Sequence, residues 1–209
     1  MRVLEYIGLA LRYRADPFFV KYLQGRRVLD VGSGRGEFLM RDPEHFVGID
    51  VDPALVACCR DRQLSAFCMS ALCLDFSDGS FDAVHAAQLI EHFDPIDAVR
   101  FVHEAARVVR DGGVVLLTTP GVKNVWNTFS HVRPYPPDAF RKLLKSDTEN
   151  YIRDSGIPLV LETAWGQRHY FESRLITFLL SVLDLLWKPG NPIGWVIVLR
   201  KTKSTAGTG

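Results

Sequence analysis

The stretch "VLDVGSGRGEF", Val28 to Phe38, puts three glycines at every second position directly after a run that reads as a buried strand. Glycine inside an element costs about 0.5–1 kcal/mol relative to alanine, so three in alternation mark backbone that must turn sharply or stay bare. A strand, a glycine-rich turn and a helix N-terminus together can present N–H groups to a ligand. The rest of the chain continues the pattern. "RVLDVG" is a first strand, apolar on both faces as in a covered parallel sheet, and Glu37 to Met40 opens a helix. "HFVGIDV" is a second strand ending in Asp50, and "DPALVACCRDRQ" is a helix with Asp52 as N-cap and Pro53 at its first position. "SAFCMS", "FDAVHAAQL" and "VVLLTTP" are the third, fourth and fifth strands. Between the last two runs the amphipathic helix "PIDAVRFVHEAARVVR", with Ile96, Val99, Val102, Ala106 and Val109 at helical spacing and "DGG" at its end. This alternation predicts a doubly wound α/β sheet with ligands at the carboxyl ends of its strands.

After Pro120 the pattern changes. Residues 121–137, "GVKNVWNTFSHVRPYPP", are irregular and aromatic; a helix at about 138–155, the strand "IPLVLETAW", an apolar helix at 173–187 and the strand "WVIVLRK" follow. Residues 1–25 read as an N-terminal helical cap, 26–203 as one domain with insertions at 121–137 and 166–194, and 204–209 as a frayed tail. The 209 residues, 47% hydrophobic, suit one globular domain. A net charge of +1, with no basic run longer than Arg26–Arg27, gives no signal of a nucleic-acid partner. Cys58, Cys59, Cys68 and Cys73 lack metal-ligand spacing and read as reduced, buried thiols of a cytoplasmic protein; no metal site is expected.

Two adenosine cofactors use loops of this kind. The dinucleotide fingerprint GxGxxG needs glycine at 37, where this chain has Glu37, and a carboxylate there repels a pyrophosphate. S-adenosylmethionine is cationic at sulfur and carries no phosphate. Asp50 stands where a carboxylate accepts both ribose hydroxyls, and Asp52 already fills the capping role.

Taken together, "VLDVGSGRGEFL", "VGIDVDP", "LDFSDGSFDAVHAAQLIEHFDP" and "VVRDGGVVLLTTP" resemble the class I S-adenosylmethionine-dependent methyltransferases over residues 26–120. The resemblance implies a Rossmann-like, seven-stranded, mostly parallel sheet whose last two strands form an antiparallel hairpin. It implies that Asp30, Gly32, Ser33 and Gly34 surround the methionine part of the cofactor, with Asp50 on the ribose, Val51 on the adenine and Gln88 lining the methionine side. Many relatives place an Asp near the end of the third strand for the adenine amino group; here Ser70 takes that position, followed by Ala71 and Leu72.

For a hydroxyl acceptor, methyl transfer needs a base. His92, in "LIEHFDP", and His131, in "HVRPYPP", are the candidates: His131 as the base, His92 mainly as a support of its loop. Arg133, Tyr135 and Trp126 are expected to border the acceptor, with Arg133 suited to a phosphate or carboxylate. The expected acceptor is a small molecule, methylated on oxygen: a glycan, a quinone or a lipid-linked compound. The alternative is a catalytically silent cofactor-binding subunit. The helix at 173–187 is apolar around most of its circumference, so it is either enclosed, or a homodimer face, or a contact with a membrane or a lipid-linked substrate.

Overall fold

The computed structural model describes residues 17–145, 155–167 and 192–203. The elements are α1 (Pro17–Tyr22), β1 (Val28–Val31), β2 (Phe46–Asp50), α2 (Pro53–Asp61), β3 (Ala66–Cys68), β4 (Phe81–Ala87), α3 (Pro95–Val108), β5 (Val109–Pro120), α4 (Pro137–Leu144), β6 (Leu159–Gln167) and β7 (Gly194–Lys201). The strands make one sheet in the order β3-β2-β1-β4-β5-β7-β6. The first five are parallel, and β7 runs antiparallel between β5 and β6. Strand order reverses between β1 and β4, so the loops that leave those two strands diverge and open a crevice at their carboxyl ends.

Both faces of the sheet are covered because both are apolar. On one, Leu29, Val31, Ile49, Val84 and Leu117 pack with Phe101, Val102 and Ala105 of α3. On the other, Val28, Phe46, Ala83 and Leu116 pack with Phe19 and Tyr22 of α1 and Val56 and Cys59 of α2. The N-cap reading of α2 holds: the Asp52 carboxylate accepts from the Ala54 N–H at 2.8 Å, with Pro53 beginning the helix. Asp94 caps α3 in the same way, accepting from Ile96 and Asp97.

Several local expectations are corrected. The glycine loop leads into a short 3₁₀ turn, Leu39–Arg41, and no α-helix follows it. The buried stripe of α3 runs through Ala98, Phe101, Val102 and Ala105, while Ile96 is 65% exposed. "DGG" lies inside β5: α3 stops at Val108, and the β4–β5 register slips between Phe81↔Val109 and Ala83↔Val114. Helix α4 runs Pro137–Leu144, and residues 146–154 of the expected range 138–155 lie outside the described residues. All four cysteines are free, but only Cys59 is buried. Residues 1–16 of the N-terminal cap, the helix at 173–187 with its dimer and membrane alternatives, and the tail 204–209 lie outside the described residues. Among the described residues no helix is long and apolar enough to cross a membrane.

Two polar clusters lock the periphery. The Tyr22 hydroxyl donates to Glu162 of β6 at 2.9 Å, and Arg200 of β7 pairs with the same carboxylate, tying α1 to the terminal hairpin. Arg107 of α3 holds Glu104 through two nitrogens at 2.8 and 2.9 Å and also donates to the Leu74 and Phe76 carbonyls, both at 2.7 Å, and to Asp78. Arg107 thereby fixes the loop that follows β3.

Candidate cofactor and acceptor site

Each loop glycine has its own reason to lack a side chain. Gly32, Gly34 and Gly36 all have positive φ (75°, 55° and 82°), a region costly for residues with a Cβ. A Cβ on Gly36 would lie 2.6 Å from Leu64 and 3.0 Å from the Cys59 sulfur, so this glycine is held against the protein itself. A Cβ on Gly32 would meet Leu89, in the loop after β4, at 3.2 Å, so the two loops touch across the crevice. A Cβ on Gly34 would meet nothing within 4 Å. Gly34 is the one that faces open space.

The loop's donors are mostly in use. Gly32 and Ser33 N–H groups donate to the Ile49 carbonyl, the Gly36 N–H to Ser33, and the Gly34 N–H to the Asp50 carboxylate at 3.0 Å. Asp50 also accepts from the Asp52 N–H at 3.0 Å. A pyrophosphate site needs free donors at a helix N-terminus; here there is no α-helix, few donors and a carboxylate. That environment suits a cationic, phosphate-free ligand.

The other cofactor candidates fall into two groups. Val51, 69% exposed, stands beside Asp50 as an apolar surface. Ser70 is exposed, its hydroxyl accepting from the Leu72 N–H at 3.2 Å, while Leu72 is half-buried. Gln88 adopts φ 53°, a strained conformation for a residue with a Cβ, and its amide donates to the Thr118 hydroxyl at 3.4 Å. Three side chains, in contrast, turn into the protein. Asp30 is 3% exposed and accepts from Nδ1 of His85 at 2.7 Å, with the Phe38 ring stacked on that imidazole at 3.8 Å. Ser33 is buried where a Cβ on Gly48 would collide with it, and Ala71 belongs to the core. These three can meet a ligand only through their backbone.

On the acceptor side, the segment after β5 folds back over the end of β4. The Val132 N–H donates to the Glu91 carbonyl at 2.8 Å. The rings of His92 and His131 meet edge to face at 4.7 Å. Nδ1 of His131 donates to the Val125 carbonyl at 2.8 Å, and Nδ1 of His92 to the Ser130 carbonyl at 3.2 Å. Beneath them, Glu91 is 0% exposed and neither carboxylate oxygen has a well-formed hydrogen bond. Burial pushes its carboxyl above the usual range, while its own backbone N–H, His131, His92 and the Thr119 hydroxyl pull it partly back. Glu91 is the residue that sequence reading left without a role. The available signal was an acid following "LI" at the end of a buried strand, where apolar neighbours draw it inward.

The other acceptor candidates separate. Trp126 is 62% exposed at the rim, and Arg133 is exposed with its guanidinium 5.3 Å from the Tyr135 ring. Tyr135 is corrected from a substrate contact to a core residue. It is buried, its hydroxyl donates to the Phe93 carbonyl at 3.0 Å, and burial pushes its pKa up to about 12.

Residues 29–117 match the family model described as a methyltransferase domain. A stretch of 122 residues is 33% identical to the tRNA (carboxymethyluridine(34)-5-O)-methyltransferase ALKBH8 of Macaca fascicularis, covering 56% of this chain and 18% of that protein. A probable S-adenosylmethionine-dependent methyltransferase of Mycobacterium tuberculosis is 33% identical over 138 residues, 63% of this chain and 48% of that one. The chain thus spans half or less of the length of these relatives. In fold, it superposes on a SAM-dependent methyltransferase from Archaeoglobus fulgidus with a TM-score of 0.63, covering 94% of both chains at 20% identity. The tRNA-modifying relative overturns the expectation of no nucleic-acid partner. Net charge describes the whole surface, and neutrality excludes only binding driven by a broadly basic face; it is silent on a single nucleoside entering a crevice. The match to the methyltransferase-domain model thus runs from β1 to β5, and the sheet as a whole has the fold of solved S-adenosylmethionine-dependent methyltransferases.

Proposed function

We propose that the protein transfers the methyl group of S-adenosylmethionine to an oxygen nucleophile held at the His92–His131 pair. The observation that carries this reading is the position of the pair: two imidazoles, each fixed by a backbone carbonyl, beyond the end of β4 and next to the loop that touches Gly32. With Nδ1 carrying the proton in both, each Nε2 keeps a lone pair and can receive the acceptor's hydrogen. Asp50 holds the ribose hydroxyls, Val51 packs on the adenine, and Gln88 lines the methionine side. Adenine recognition falls to Ser70 and the backbone of Ala71 and Leu72, whose loop is pinned by Arg107. The Asp30 carboxylate acts indirectly, holding His85 and the loop above it.

Two acceptor classes follow from different observations. The exposed Trp126 and Arg133 at the rim suit a flat or anionic small molecule, such as a quinone, a glycan phosphate or a lipid-linked compound. The resemblance to a carboxymethyluridine 5-O-methyltransferase favours a nucleoside oxygen instead. The deciding experiment is transfer of radiolabelled methyl from S-adenosylmethionine to parallel pools of tRNA, sugars, phenols and lipid extracts. With the acceptor that takes label, His131→Ala is expected to lower turnover by about 10²–10⁴-fold at saturating cofactor, and His92→Asn by less. Full turnover in His131→Ala would refute the assignment. Failure to bind S-adenosylmethionine at all would refute the function.

A further inference from the structure

Glu91, His92 and His131 form a cluster with more donor capacity than a proton relay uses. One carboxylate oxygen and one ring nitrogen from each histidine all lie within 4.8 Å of one another. Both imidazoles use Nδ1 on a backbone carbonyl, Val125 or Ser130. In metal proteins the same outer bond to the second ring nitrogen fixes the tautomer and leaves the other nitrogen free to ligate. Below them Glu91 is wholly buried, and both of its oxygens lack a well-formed hydrogen bond. The Thr119 hydroxyl, also buried, lacks one as well. A buried carboxylate costs several kcal/mol unless it takes up a proton or a cation compensates it, and among the described residues no Lys or Arg is paired with it.

We infer that Glu91, His92 and His131 bind a divalent transition-metal ion. The ligand set, two imidazoles and one carboxylate, matches zinc-like ions and disfavours Mg²⁺, which prefers oxygen donors throughout. Ligands about 2.1 Å from an ion lie roughly 3–4 Å apart, so a small closing movement of the strap that carries His131 completes the site. Three protein ligands leave a position open. An acceptor hydroxyl bound there becomes more acidic and releases its proton to solvent. Its oxygen then forms the new bond to the methyl carbon, while the carbon–sulfur bond breaks and leaves its electron pair on a neutral thioether. This inference rests on the proposed methyl transfer at the same pair and refines it: in the metal-loaded protein the histidine lone pairs hold the ion, and the ion takes over from them the task of making the hydroxyl acidic.

The test uses the whole chain, stripped with a chelator and titrated with Co²⁺ and Zn²⁺ without cofactor or acceptor, so its outcome does not depend on whether methyl transfer is observed. The expected result is about one ion per chain, with visible Co²⁺ absorption bands of low coordination number. Glu91→Gln and His131→Ala should each weaken binding by at least about 10–100-fold, the range for losing even an outer-shell partner. Circular dichroism and S-adenosylmethionine binding report whether each variant is folded. If Glu91→Gln does not fold, the half-exposed His131 supplies the comparison through both His131→Ala and His131→Gln. A folded chain that takes up neither ion at large excess, or affinities that survive these substitutions, would overturn the inference, as would tighter binding of Mg²⁺ than of Zn²⁺. Turnover lost to the chelator and restored by Zn²⁺ supports it. Turnover indifferent to the chelator restores the metal-free histidine base.

Discussion

At the scale of single residues, the glycine loop separates two jobs that the sequence presents as one motif. Gly36 serves the fold, because Leu64 and Cys59 occupy the space a side chain would need. Gly36→Ala combines overpacking with a left-handed backbone and should cost on the order of 2 kcal/mol or more, read as a lower midpoint in urea. Gly34 faces open space, so Gly34→Ala should cost only about 1–2 kcal/mol through its φ while obstructing the cofactor. Calorimetry should therefore find S-adenosylmethionine binding lost in Gly34→Ala and largely kept in whatever Gly36→Ala remains folded. The reverse order would mean that the crevice has been misplaced. Asp50→Ala should weaken the cofactor by roughly 1.5–3 kcal/mol, the range for hydrogen bonds to a charged acceptor. It should also loosen the loop, since Gly34 and Asp52 donate to the same carboxylate. Asp50→Asn keeps one acceptor oxygen and should fall between Asp50→Ala and the unmodified chain.

At the scale of elements, the loop between β3 and β4 has little regular structure and depends on α3 for its shape. Arg107 bridges Glu104, Asp78 and the Leu74 and Phe76 carbonyls, and Glu104 also accepts from the Leu74 N–H at 2.7 Å. Removing the guanidinium takes the donor from two carbonyls and from two carboxylates, Glu104 and Asp78. Arg107→Ala should destabilise by about 1.5–3 kcal/mol, toward the lower figure because the side chain is a third exposed. The more telling readout is the cofactor's KM, which should rise because this loop is the proposed adenine wall, while turnover at saturation should hold. Lys at the same position keeps the charge but not the forked geometry and should rescue only in part. Unchanged KM in a folded Arg107→Ala variant would separate the loop from the adenine site.

For the molecule as a whole, acid stability should be set by three ion pairs, two between neighbouring strands and one within α3. Asp82 is held below the usual carboxylate range by Arg110, Glu104 by Arg107 and Glu162 by Arg200. A carboxyl whose folded pKa is depressed contributes stability that is fully present above its unfolded pKa and lost as pH falls through the folded one. The melting temperature should therefore be level from neutral pH down to about 5 and fall below about pH 4. Added salt should shrink the effect, because all three pairs touch solvent. Thermal melts across that range provide the check, and a midpoint that is flat into strong acid would show the pairs to be energetically idle.

The sequence by itself determined whatever depends on near neighbours. Strand periodicity, the cap at Asp52, the bare backbone of the glycine loop and the strand-end carboxylate of Asp50 all follow from residues a few positions apart. These are enough for the doubly wound class and an adenosine cofactor. Only the tertiary structure decided which polar side chains are buried and whom they meet. Asp30 meets His85 because β1 and β4 are neighbours in register, and Tyr135 reaches the Phe93 carbonyl because the strap crosses the end of β4. Glu91 lies under His92 and His131 for the same reason. A glutamate reads identically in a sequence whether water or a histidine pair surrounds it. Burial, and with it the cost of leaving a charge alone, arises only when strands distant in the chain are laid side by side.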